Sequence, residues 1–168
     1  TSAPHCGKRA VVIMGADNGV VEEGVSQTGS EVTAQVLENM GNKISSVCIM
    51  SRILNADVIP VNIGMNVDGV HPAIRNCAVR HGTGNIAKGP AMTREECIRA
   101  IETGIRIVGE LKEQGYEMIV TGEMGIGNTT TSAACACVLF DQKAEKVTGR
   151  GAGLSSDGLK KKIQVVQR

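Results

Sequence analysis

Three short apolar runs, each breaking off into glycine and polar residues, restrict this 168-residue chain more than any other feature. Ala10-Val11-Val12-Ile13-Met14 leads into Gly15-Ala16-Asp17, and the runs Asp57 to Gly64 and Met118 to Gly122 follow the same plan. Short runs rich in β-branched residues, apolar at consecutive positions, read as strands buried on both faces. Pro60 in the second run has no N–H for a ladder and points to a sheet edge or a bulge. Between the runs lie helical patterns at about 30–41, 46–55, 93–114 and 129–140, and a last one begins near Ser156. In the longest, Thr93-x-x-Glu96 is a capping box, Ile98, Ile101, Ile105, Val108 and Leu111 form one apolar face, and Gly115 ends the helix. Strand, long helix and strand in succession make a βαβ unit. The expected architecture is therefore a single α/β domain over residues 1–168, a Rossmann-like parallel sheet with helices on both faces. Ligands in such sheets sit beyond the carboxyl ends of the strands, so the loops after residues 14, 63 and 121 are where chemistry belongs.

Composition excludes several classes. Eighteen Lys and Arg against 17 Asp and Glu leave a formal charge of +1, with no general attraction to nucleic acid or anionic membrane. Tyr116 and Phe140 are the only aromatic residues, too few for base-stacking platforms. No apolar run reaches the roughly 18 residues of a membrane span, and the opening TSAPHCGKR lacks the hydrophobic stretch of a signal peptide. A cytoplasmic protein that binds neither membrane nor nucleic acid is expected. The cysteines at 6, 48, 77, 97, 135 and 137 form no C-x-x-C, and His5, His71 and His81 lie far apart, so zinc spacing is absent. The thiols are expected to be buried and reduced, with Cys135 and Cys137 packed inside TSAACACVLF. A first residue that is Thr and a final KKIQVVQR that stops within a helical pattern read as a fragment of a longer chain.

The segment Gly122-Glu123-Met124-Gly125-Ile126-Gly127-Asn128-Thr129 follows a strand and opens a helix, which can present N–H groups and a helix dipole to a phosphate. Gly122, Gly127 and Thr129 have P-loop spacing, but Asn128 stands where the phosphate-binding lysine belongs. A single phosphate is thus favoured over a triphosphate with magnesium. The same residues also suit a left-handed glycine turn with Asn128 or Thr129 as N-cap, and both readings stand at this point. Glu123 ends the strand facing the cleft, where it either holds ribose hydroxyls or a ring N–H or is simply a solvated loop glutamate. Gly149-Arg150-Gly151-Ala152-Gly153 is a second glycine cluster; it closes over the same anion or makes a tight turn. Ser155-Ser156-Asp157 then cap a helix whose apolar stripe is Leu159, Ile163 and Val166. At about 100° per residue, Lys162 flanks that stripe and reaches inward while Lys161 points away. Asp17 after the first strand can bind a substrate hydroxyl or cap the next segment, and Asn18-Gly19 fits a simple turn. His81-Gly82-Thr83-Gly84-Asn85 fits a polar substrate loop or a surface turn.

Four segments, ADNGVVEEGVSQTGSEVTAQ (16–35), RHGTGNIAKGPAMTREE (80–96), GEMGIGNTTTSAA (122–134) and GRGAGLSSDGLKKKI (149–163), resemble in this order the motifs of the nicotinate-nucleotide:dimethylbenzimidazole phosphoribosyltransferase family. The resemblance covers nearly the whole chain. It implies transfer of phosphoribose from nicotinate mononucleotide to 5,6-dimethylbenzimidazole, giving α-ribazole 5'-phosphate and nicotinate for the cobalamin lower ligand, by a cytosolic homodimer. No metal or organic cofactor is implied. It also implies that Gly125, Gly127, Gly151 and Lys162 hold the phosphate, with Glu123 beside the nucleotide, and that Ser26 to Val36 lines the benzimidazole pocket through Thr28 and Val36. The family reads Asp-His-Gly-Val where this chain has Asp17-Asn18-Gly19-Val20. Its catalytic glutamate falls beyond residue 168, so no catalytic residue is assigned and the chain alone is expected to be inactive. Breaking the bond from ribose C1 to nicotinate builds positive charge on the sugar while the incoming ring loses a proton, so a fixed phosphate and a base are both useful. Competing readings are a non-catalytic nucleotide-binding or sensing module, which would bind without turnover even in a longer chain, and a transferase with another acceptor. A P-loop NTPase is disfavoured by Asn128.

Overall fold

The computed structural model describes residues 6–168; His5 and most of the opening segment considered above lie outside the described residues. β1 (Lys8–Ala16), β2 (Ala56–Gly64), β3 (Arg75–Asn76) and β4 (Tyr116–Met124) form one sheet in the order β3-β2-β1-β4, with every pairing parallel. α1 (Glu31–Gly41) and α2 (Ser46–Ile53) connect β1 to β2, and α3 (Arg94–Glu113) carries the chain to β4. α4 (Asn128–Phe140), the short α5 (Ala144–Val147) and α6 (Ser156–Gln167) pack against one another after it. The expected α/β class and the five helical patterns hold. A 3-10 turn at Gly19–Glu23, β3 and α5 are additions too short to leave a periodic signal.

β1 alternates between two cores. Ala10, Val12 and Met14 meet Ile107 and Leu111 of α3 on one face, while Val11 and Ile13 meet Leu37, Met40 and Cys48 of α1 and α2 on the other. Helices thus cover both faces. Pro60 pairs with Ile13, and β3 reaches only Val61 and Asn62, so the proline lies where the outer side of β2 is open.

The capping box of α3 forms as expected: Glu96 N–H donates to Thr93 Oγ1 at 3.2 Å and Thr93 N–H to Glu96 Oε2 at 2.8 Å. The face assigned to that helix is corrected. Of the five residues expected on it only Leu111 is buried; Ile98, Ile101, Ile105 and Val108 are exposed, and Ile107 is buried in their place. The buried side of the helix is Ile107 and Leu111, with the half-buried Ala100 ahead of them, too small to stand out in a search for large apolar residues. Glu110 beside these residues pairs with Arg106 of the same helix at 2.8 Å and with Arg75 of β3 at 2.7 Å, and the second pair ties this side of the helix to the sheet. The cysteine expectation is also corrected. All six are free, but only Cys48 is buried; Cys97 and Cys135 are exposed, and Val138, Leu139 and Phe140 at the end of α4 are exposed with them. Among the described residues no helix is long and apolar enough to cross a membrane.

The two faces of α3 make a direct comparison. Ile107→Ala is predicted to cost about 2–5 kcal/mol in denaturant unfolding and Ile105→Ala less than about 0.5 kcal/mol. Equal costs would contradict this packing.

Candidate functional site

The chain leaves β1 toward β2 and β3 on one side and returns to β4 on the other, so the strand order reverses between β1 and β4. Loops leaving two strands at such a reversal separate and open a crevice at their carboxyl ends. Here β1 runs to Ala16 and β4 to Met124, slightly beyond the expected ends, and Glu123 belongs to the strand, paired in register with Met14.

Gly125, Ile126 and Gly127 turn the chain from β4 into α4. Gly127 is the N-cap, at φ 88°, so neither Asn128 nor Thr129 caps the helix. A side chain at Gly125 would strike the carbonyl of Ala16, only 2.2 Å from where its Cβ would stand. The left-handed turn and the donor-presenting loop are therefore one structure. Asn128 and Thr130 donate backward to Gly125 O and Gly127 O, whereas the N–H groups of Gly127 and Thr129 have no acceptor among the described residues. Thr33, fully buried on α1, accepts the Ile126 N–H at 3.0 Å.

Lys162 is 1% exposed, and its ammonium donates to Thr129 Oγ1 at 2.6 Å. Lys160 and Lys161 on the same helix are exposed, as the helical geometry requires, although Val165 and not the expected Leu159, Ile163 and Val166 forms the buried part of the stripe. Gly151, at φ 58°, passes so close that a Cβ there would lie 2.7 Å from Thr129 Oγ1 and 3.2 Å from Lys162 Nζ. Arg150 holds this second loop in shape by donating to Leu154 O at 2.8 Å and Ser156 Oγ at 3.2 Å, and Ser155 caps α6. Gln27 ties the loop down from the other side by donating to Gly153 O. No carboxylate faces Lys162 among the described residues. An ammonium buried against a single hydroxyl is costly, and a bound anion is what offsets such a cost.

These groups enclose a cavity of about 50 Å³ lined by Gly125, Gly127, Thr129, Gly151 and Lys162, with Asn128 at its edge. That is far below the roughly 300–1,000 Å³ that encloses a drug-sized ligand, so it suits one anionic group with the remainder of a ligand outside. Glu123 stands next to it and accepts from Asn128 Nδ2. Although part of Glu123 is open to solvent, the protein around its carboxyl desolvates it and pushes it above the usual carboxylate range, an effect the Asn128 amide partly offsets. Larger depressions, of about 430 Å³ beside Lys43 and Arg52 and about 450 Å³ beside Cys77 and Arg106, lie away from the strand reversal and gather no such set of groups.

Other anticipated residues are placed differently. Asp17 is 2% exposed and does not line the Lys162 cavity; one of its oxygens accepts the Asn66 N–H at 2.7 Å and the other is buried without a partner. Thr28 is exposed, and Val36 packs against the α1 core. His81 is exposed, 3.9 Å from Asp68, as a surface turn would have it. Sequence reasoning missed Thr33, Gln27 and the use made of Asn18. Only Thr33 left a signal, as a hydroxyl on the apolar side of α1.

Fold and site define a class: a parallel α/β protein whose strand reversal carries a glycine loop, a buried lysine and a half-desolvated carboxylate. A family model described as phosphoribosyltransferase matches residues 1–168, and the chain belongs to that family. It is 51% identical over 165 residues to the nicotinate-nucleotide–dimethylbenzimidazole phosphoribosyltransferase of Acetivibrio thermocellus, covering 98% of this chain and 47% of the relative. To the enzyme of the same name from Ruminiclostridium cellulolyticum it is 49% identical, with the same coverage. The crystal structure of CobT from Thermus thermophilus superposes with a TM-score of 0.94 at 38% identity, over 98% of this chain and 50% of that one. The chain spans about half the length of the relatives it matches.

Burial pushes the Lys162 ammonium below the usual lysine range. Folding therefore disfavours its charged form, with the full penalty below the folded pKa; the penalty fades as pH rises from there to the ordinary lysine value. In phosphate-free buffer Lys162→Met is predicted to be more stable than the wild-type chain at neutral pH, with the gap closing through that alkaline window. Melting curves that stay parallel across pH would rule this out.

Proposed function

We propose that this chain supplies the phosphate-holding part of an enzyme that moves phosphoribose from nicotinate mononucleotide to 5,6-dimethylbenzimidazole, giving α-ribazole 5'-phosphate and nicotinate for the cobalamin lower ligand. The observation that carries this reading is the buried Lys162 ammonium, held by the hydroxyl of the exposed Thr129 and bordered by Gly125, Gly127 and Gly151. The relatives' names supply the substrates.

In this reading the 5'-phosphate lies against Lys162 and the N–H groups of Gly127 and Thr129. That fixes the ribose with C1 toward the open side of the crevice, and orientation of this kind lowers the entropic part of the barrier. Asn128 and Glu123 meet the nucleotide next to the phosphate. Ionised Glu123 sets negative charge near the sugar, where positive charge grows as the bond to nicotinate breaks. Ser26 to Val36, with Thr28 at its exposed end, borders the acceptor base, and Asp17 shapes the floor through its bond to Asn66. The base that takes the ring proton lies in sequence outside this chain. The whole enzyme works as a homodimer in the cytoplasm, a reading supported by the exposed apolar row on α3 and by six free thiols.

Calorimetric titration with nicotinate mononucleotide tests this directly. Saturable binding by the wild-type chain, weakened about 10- to 100-fold by Lys162→Met, is predicted from the worth of a charge-assisted hydrogen bond. Formation of α-ribazole phosphate should be negligible with this chain and appear in a longer chain extended at both ends. Full turnover by the 168 residues would overturn the placement of the base, and binding without turnover in the extended chain would favour a sensing module.

A further inference from the structure

At the strand reversal the loops after β1 and β4 must be held together across the crevice, and one side chain spans them. Asn18 is 8% exposed; its Nδ2 donates to Ile126 O at 3.1 Å and to Ala16 O at 3.4 Å. Two carbonyl acceptors use both amide hydrogens and so fix which end of the amide faces them. Its Oδ1 faces Thr131 Oγ1 at 3.3 Å, and that hydroxyl also lies 2.9 Å from Asn128 O, so its single proton is shared between them. Although Asn18 stands at the N-cap of the 3-10 turn, its side chain makes no local cap bond. The glycine loop packs directly on it: a Cβ at Gly125 would come 2.9 Å from Asn18 Nδ2, and one at Gly127 would come 3.2 Å from Asn18 Cβ.

The carbonyl of Ile126 and the N–H of Gly127 belong to one planar trans peptide, so they point in opposite directions. Anchoring that carbonyl on Asn18 therefore also aims the Gly127 N–H, which has no acceptor among the described residues. The preceding peptide is fixed as well, because Thr33 accepts the Ile126 N–H. We infer that Asn18 is a positioning residue for anion binding: by gripping Ile126 O it turns the Gly127 N–H into the Lys162 cavity without itself touching the ligand. This rests on the phosphate reading of that cavity and adds how its backbone donor is held. The simple turn expected for Asn18-Gly19 is thus a strut between two loops separated by more than a hundred residues.

Titration of the isotope-labelled chain with inorganic phosphate, followed by amide resonances, tests the inference. In the wild-type chain the Gly127 and Thr129 amides should both shift with one saturation curve. Asn18→Leu, similar in size but without hydrogen bonds, should weaken phosphate about tenfold, near the upper worth of a neutral hydrogen bond, and should remove the Gly127 shift while that of Thr129 persists. Asn18→His, with one ring N–H and one lone pair, should restore the Gly127 response. If Asn18→Leu does not fold, Asn18→Ser, too short to reach Ile126, carries the same expectations. Undiminished affinity with the Gly127 shift intact in the variants would overturn this inference alone. Absence of any phosphate response in the wild-type chain would overturn the phosphate reading and this inference together.

Discussion

β1 is paired along almost its whole length on both sides, with β2 from Arg9 to Ala16 and with β4 from Lys8 to Gly15. A parallel strand in that position cannot be reached by hairpins, so both neighbours arrive by helical crossovers that cover opposite faces. The two cores, the reversal of strand order and the crevice all follow from this placement. Any change that shifted β1 by one residue would exchange the sets that meet α1 and α3. It would also displace the loop after Ala16, against which the glycine turn is pressed.

The site is assembled from parts remote in sequence, with Thr33 on α1, Gly127 and Thr129 after β4, Gly151 in a late loop and Lys162 on the last helix. Each part is placed by an interaction that costs little elsewhere, such as the Ser155 cap on α6 or the grip of Arg150 on its own loop. The exception is Lys162, whose burial opposes folding. A group that lowers stability in the free protein and gains a partner on binding is a common signature of a functional position.

Much of the fold was legible because backbone rules act over short windows. Val11, Val12 and Ile13 mark a strand, Thr93 and Glu96 start a helix, and Gly115 stops it. The inward turn of Lys162 followed from helical geometry alone. The rotation of α3 did not, since Ile107 and Leu111 are the only large apolar residues of its inward side and Glu110 is held by Arg75 from another element. The strand order was equally hidden, because pairing depends on contacts between distant segments. At the site, the glycine loop was visible as composition. Its supports were not, because Asn18 and Gln27 look like ordinary loop residues until their carbonyl partners, at Ile126 and Gly153, are known.

The buried lysine carries a final consequence for how this protein meets an anion. The ammonium must be protonated to hold a phosphate, yet burial makes it give up its proton at a lower pH than a surface lysine would. Occupancy of that cavity and proton uptake are therefore thermodynamically linked, each favouring the other by the same free energy. On the alkaline side, where the free ammonium begins to lose its proton, the heat of association then includes the ionisation of whatever buffer gives that proton back, and affinity for a fixed anion charge declines from a lower pH than a surface lysine would allow.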